Sequence, residues 1–414
     1  MMAFKKILVA ISFVWLNLFV ISCGPTFNGG SALLPARENE EGILIYEDID
    51  LGGKIISKTI LKAPIEDIDK SKSSKSKSTV NIIEGDPQSP HIGVVFVGDG
   101  YNLNDMPQYQ KDTNDIFKNL ILQEPFKSYR SYFTFYRVDH ITLQSGIGNT
   151  PSKGLGMHYN CNGIPRLLCI NTSSVLAAAQ NANRSDIIFA LANSSEYGGA
   201  GYRNPTVSTL AARNPAALEL ALHELGHSFA QLGDEYEDKG SPTNCNLYPN
   251  ISDSNFSEMA KKKTKWYRWQ DLKNVSSFAG ACYSSRFYRP TLESKMRTLG
   301  HAFGEINLEQ FILQIYKKIK PIKSSTAVGT IKKHTVIEVQ PMQPASHSLT
   351  VNWFLDGQPQ KPLQNKTKIE TKDLAITKNT HTLTATVQDG TSAVRDEKIR
   401  QKYLQQTLSW TLKL

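Results

Sequence analysis

Apolar residues along this chain recur with two different periods, and the two periods divide it. Residues 92–97 form an unbroken apolar run ending in Gly98-Asp99-Gly100, the pattern of a strand buried on both faces. Residues 132–141 and 186–192 read as further strands, and residues 105–122 and 174–182 as helices. A third helix is announced by Asn214, a good N-cap, followed by Pro215 at the first helical position and a run of strong helix formers, 216–222. Along it Leu218, Leu222, Leu225 and Phe229 recur at spacings of three and four and predict a buried stripe. From about Ala327 the period changes to short alternating strands at 334–339, 348–355, 381–387 and 407–412, with Asp356-Gly357 as a hairpin signal. Such spacing predicts an immunoglobulin-like β-sandwich over residues 327–414, with Trp353 in its core.

The first 89 residues follow neither period. Lys5 and Lys6 precede an apolar run, 7–21, that is short for a membrane span and predicts a signal peptide over residues 1–22. Val20-Ile21-Ser22-Cys23 resembles a bacterial lipobox, so Cys23 is expected to become a lipidated N-terminus that holds the protein on a membrane outside the cytoplasm, as a cell-surface or outer-membrane lipoprotein. Residues 23–89 are expected to be a tether: they include the Lys/Ser run 70–78, which cannot form a core. Short apolar stretches between Gly42 and Leu61 leave room for a small hairpin. The formal charge of +9 falls to +7 without the two signal-peptide lysines, a basic balance suited to anionic surfaces. No pattern of nucleic-acid recognition accompanies it.

Export is consistent with the cysteines. Beyond Cys23 there are Cys161, Cys169, Cys245 and Cys282, an even set that in an oxidising compartment favours two disulfides. Pairing Cys161 with Cys169 closes a short loop, and pairing Cys245 with Cys282 staples the segment after the third helix. Without CxxC spacing, a Cys-rich metal site has no support.

The chemistry is concentrated in His223-Glu224-Leu225-Gly226-His227. Histidines four residues apart on a helix project from one face and can share a zinc ion, while Glu224, beside the first, is placed to act as general base. A catalytic zinc usually has three protein ligands and one open position. The third is expected just beyond the helix, from Asp234 or Glu235, with Asp234 preferred. On a continued helix Asp234 would lie roughly 16 Å along the axis from His223, too far, so the helix must end first, and Gly233 is the expected left-handed terminator. A distant glutamate, Glu258 or Glu293, is the rival third ligand.

The block His223 to Tyr236, HELGHSFAQLGDEY, resembles the signature of the M64 peptidases, the family named for immunoglobulin A cleavage. The likeness extends upstream through residues 94–101 and Tyr197-Gly198-Gly199 and downstream to Met296. It implies a metzincin-like zinc site on His223, His227 and Asp234, with Glu224 as the base and Met296 packed beneath. The spacing departs from HExxHxxGxxH: Ala230 replaces the glycine and the acid comes one residue late. Tyr236 and Arg297 are candidate stabilisers of the transition state, and the 186–199 segment is a candidate edge strand for an extended substrate. The expected architecture is therefore α+β: an α/β/α-like zincin catalytic domain over residues 90–322, then the all-β sandwich. Its expected activity is zinc-dependent endoproteolysis of a protein or peptide. The alternative is a surface-binding or adhesin protein on the same scaffold.

Overall fold

β4, Ile92–Asp99, is buried from end to end because helices cover both faces of the sheet that contains it. Val94 and Phe96 point into one core and Val95 and Val97 into another, as alternation along a strand requires. This is a computed structural model; it describes residues 43–49, 55–62, 78–202, 205–237 and 244–413. The first core is shared with α1 (Met106–Leu120), α3 (Ala217–Ser228) and α5 (Glu305–Lys318), and the second with α2 (Thr172–Ala179). The chain is α+β, with helices layered on both sides of its largest sheet.

β4 pairs in parallel with β5 (Phe133–Asp139) and β6 (Ile187–Ala192), and β6 pairs in parallel with β8 (Val207–Ala211). Antiparallel strands flank this parallel centre: β3 (Thr79–Glu84) on β5, and β7 (Gly199–Tyr202) on β8. β6 is thus an interior strand, and the 186–192 segment is not the edge expected to receive substrate. β7 is the strand nearest α3, and its outer side carries β1 (Ile43–Ile49), with Leu44 opposite Tyr202 and Ile45 opposite Gly201. β1 in turn forms a hairpin with β2 (Ile55–Lys62). Three stretches of the expected 23–89 tether therefore belong to the sheet, which starts before residue 90. The signal-peptide segment, Cys23 and residues 70–77 of the Lys/Ser run lie outside the described residues. Among the described residues no helix is long and apolar enough to cross a membrane.

Beyond α3 come α4 (Phe256–Lys262) and the short β9 (Phe278–Ala281) and β10 (Ser284–Arg289). After α5 the chain builds two further sheets. One holds β11 (Ile322–Ser325), β13 (Val336–Pro341) and β16 (Lys368–Glu370). The other runs in the order β12 (Thr330–Lys332), β18 (Gln405–Lys413), β17 (Thr380–Gln388), β14 (Thr350–Leu355), β15 (Gln358–Pro359). All four alternating segments are strands, and Asp356-Gly357 turns β14 into β15. Trp353 is buried and stacks on Trp410 with centroids 6.0 Å apart. This region is not insulated from the large sheet and its helices, since one apolar cluster runs through both. At their junction the fully buried Asp389 accepts hydrogen bonds from Tyr129 (2.9 Å) and Tyr316 (2.7 Å), and its other oxygen lies 2.6 Å from His347 Nε2. The segment leading into α6 (Glu397–Tyr403) adds Arg395, whose amide donates to Glu309 on α5.

Candidate active site

α3 starts two residues after the expected first helical position, at Ala217, with Asn214 Oδ1 accepting the amide of Ala216 (2.9 Å) in the turn before it. Leu222, Leu225 and Phe229 are buried and Leu218 half-buried, which sets the helix's rotation. The opposite side then carries His223 and His227, whose Nε2 atoms lie 3.0 Å apart. Each Nδ1 faces a backbone carbonyl at 2.8 Å: Lys295 O for His223 and Leu232 O for His227. A carbonyl only accepts, so Nδ1 carries the hydrogen and the lone pair of each Nε2 points inward.

The helix ends where Gln231, not Gly233, takes the left-handed conformation (φ 60°). The Leu232 amide then returns to Gly226 O (3.0 Å). Gly233 does not provide the turn because its backbone is held on both sides by the Asn250 side chain, at 2.8 Å each way. The reversal brings Asp234 Oδ1 to 3.0 Å from His227 Nε2 and 3.3 Å from His223 Nε2. Bonds of about 2.0–2.1 Å in tetrahedral geometry place ligand atoms about 3.3 Å apart. The two nitrogens and one carboxylate oxygen therefore fit a zinc ion, and all three side chains are buried.

Glu235 turns the other way. Its carboxylate is fully buried and accepts from Asn250 (2.9 Å), Asn307 (2.8 Å) and Ser294 (2.7 Å), while burial raises its pKa. Its amide donates to Met296 O (2.8 Å), tying the two segments together. The distant glutamates are engaged elsewhere: Glu258 caps α4, and Glu293 holds Arg297 (2.7 Å) and Thr298 (2.8 Å). Arg297 is thereby committed to a surface ion pair. Met296 is fully buried against Gly226, the residue before His227, where a β-carbon on Gly226 would overlap its sulfur.

Glu224 is 1% exposed and lies against β7, where a β-carbon on Gly201 would come within 2.8 Å of Glu224 Cβ. Only a glycine lets the strand pass this close to the helix. Tyr236 is buried, with its ring 5.3 Å from that of Tyr283. Tyr283, which sequence reasoning missed, donates its hydroxyl to Asp234 Oδ2. Its 49-residue separation from Asp234 left no local signal. Both preferred disulfides are present, Cys161–Cys169 and Cys245–Cys282, and the second lies beside Tyr283.

No curated protein matches the chain. Residues 80–274 match the family model described as IgA Peptidase M64, a span that takes in β4, β7, α3, both histidines and Asp234 and stops short of Tyr283 and Met296. That region is similar to the IgA peptidase M64 family, and the similarity supports a peptidase.

Proposed function

We propose that the protein is an exported zinc-dependent endopeptidase. The observation that carries this reading is the convergence of His223 Nε2, His227 Nε2 and Asp234 Oδ1 at separations suited to one ion, with both outer imidazole nitrogens already hydrogen bonded to carbonyls. Zinc held there would supply Lewis-acid polarisation of a peptide carbonyl and acidify water. Glu224, adjacent to a ligand and shielded from solvent, is the group that accepts the proton of the attacking water and returns it to the leaving amine. Substrate is a protein or peptide.

The lipobox-like Val20 to Cys23 supports anchoring at a membrane outside the cytoplasm, and the two disulfides are compatible with an oxidising compartment. Acyl labelling of the wild type but not of Cys23→Ser tests this. The C-terminal sheets are read as an immunoglobulin-like sandwich, supported by two packed sheets and by the parallel pairing of β12 with the last strand, β18.

Metal analysis of the purified ectodomain, combined with cleavage profiling on a diverse peptide library, tests the catalytic reading. Glu224→Ala should keep stoichiometric zinc and lose nearly all proteolysis, whereas His223→Ala and His227→Ala should lose the metal too. Stoichiometric zinc with no cleavage of any peptide would favour the surface-binding alternative. Undiminished cleavage by Glu224→Ala would remove the base from the scheme.

A further inference from the structure

We propose that Tyr283 is a positioning residue that fixes the carboxylate of Asp234 for metal binding, and that the turn carrying it is built for this purpose. The inference rests on the zinc-site reading above. Ala281 of β9 pairs with Ser284 of β10, so Cys282 and Tyr283 form a two-residue hairpin turn. Both adopt the left-handed conformation, at φ 49° and 64°. Asn-Gly is the usual choice for such a turn, and two bulky L-residues are disfavoured there unless their surroundings hold them.

Those surroundings converge on the segment of the third ligand. The Cys282 amide donates to Asp234 O (2.9 Å) and the Tyr283 amide to Tyr236 O (3.0 Å). Cys282 is further tied to Cys245 by a disulfide. The Tyr283 ring meets that of Tyr236 edge to face, at 75°. So held, the Tyr283 hydroxyl donates to Asp234 Oδ2, while Oδ1 of the same carboxylate faces the histidines. An outer hydrogen bond of this kind orients a ligand and removes its rotational freedom before the ion arrives.

The test uses the full-length, disulfide-intact protein and zinc itself. Tyr283→Phe should weaken zinc binding roughly 10- to 100-fold in chelator competition, and should shift the visible spectrum of the cobalt-substituted protein. The melting temperature of the metal-free protein should not change. In an Asp234→Ala background the same substitution should alter zinc affinity by less than about two-fold, because its effect passes through that carboxylate. Three results would overturn the proposal: wild-type affinity in Tyr283→Phe, equal losses in both backgrounds, or intact zinc binding with reduced kcat, which would make the hydroxyl catalytic. A wild type that binds no zinc would instead refute the metal centre, and the proposal with it.

Discussion

Gly226 and Met296 touch because Gly226 has no side chain: a β-carbon there would overlap the methionine sulfur and sit 3.2 Å from its methyl carbon. This contact lies between the two histidines, so it couples the packing beneath α3 to the spacing of the Nε2 atoms. Gly226→Ala should destabilise the protein by about 1–3 kcal/mol and reduce zinc stoichiometry, as overpacking does when neither partner can yield. Met296→Leu, which keeps the volume, should cost under about 1.5 kcal/mol and retain zinc. Calorimetry with metal analysis of both variants checks this.

Asp234 and Glu235 are neighbours with opposite tasks, and single substitutions should separate them. Asp234→Ala should abolish tight zinc binding. Glu235→Ala should leave zinc in place but destabilise the fold by roughly 2–4 kcal/mol, since three buried donors lose their acceptor. Glu235→Gln should lie between it and wild type, because it keeps the volume and removes a charge that burial disfavours. Urea unfolding and zinc content are the measurements. Loss of zinc in Glu235→Ala at unchanged stability would contradict this division of labour.

The outer edge of β7, beside Glu224, is taken by β1. An extended peptide that adds a strand at this edge must displace β1. Proline at both Leu44 and Ile45 removes amide donors from β1 and should raise kcat/KM for extended peptides several-fold. Hydrogen exchange should show residues 199–202 losing protection, with α3 unaffected. An unchanged kcat/KM alongside that loss of protection would mean that substrates do not use this edge.

Asp389 joins the two halves through Tyr129 and Tyr316. Asp389→Ala should destabilise the whole molecule by roughly 3 kcal/mol and lower its thermal midpoint, because two buried phenols and His347 lose their partner. Truncation before Ile322 should be more damaging, since it bares the buried Tyr129, Tyr132 and Tyr316. Scanning calorimetry decides: a truncated protein with the full-length transition temperature would show the shared cluster to be dispensable.

The sequence by itself determined the features that depend on local geometry. The pairing of His223 with His227 follows from 3.6 residues per turn, the burial of β4 from an apolar run too long for one covered face, and the C-terminal strands from period-two alternation. The motif also carried the family. What only the tertiary structure decided depends on contacts distant in the chain. Asp234, not Glu235, faces the histidines because Asn250, Asn307 and Ser294 claim Glu235, and Gln231 takes the turn because Asn250 holds Gly233. β6 lies inside the sheet and β1 covers β7 because strand order is a matter of topology, on which periodicity is silent. Tyr283 reaches Asp234 across 49 residues, through a turn that local propensity disfavours, so only the folded surroundings could place it there.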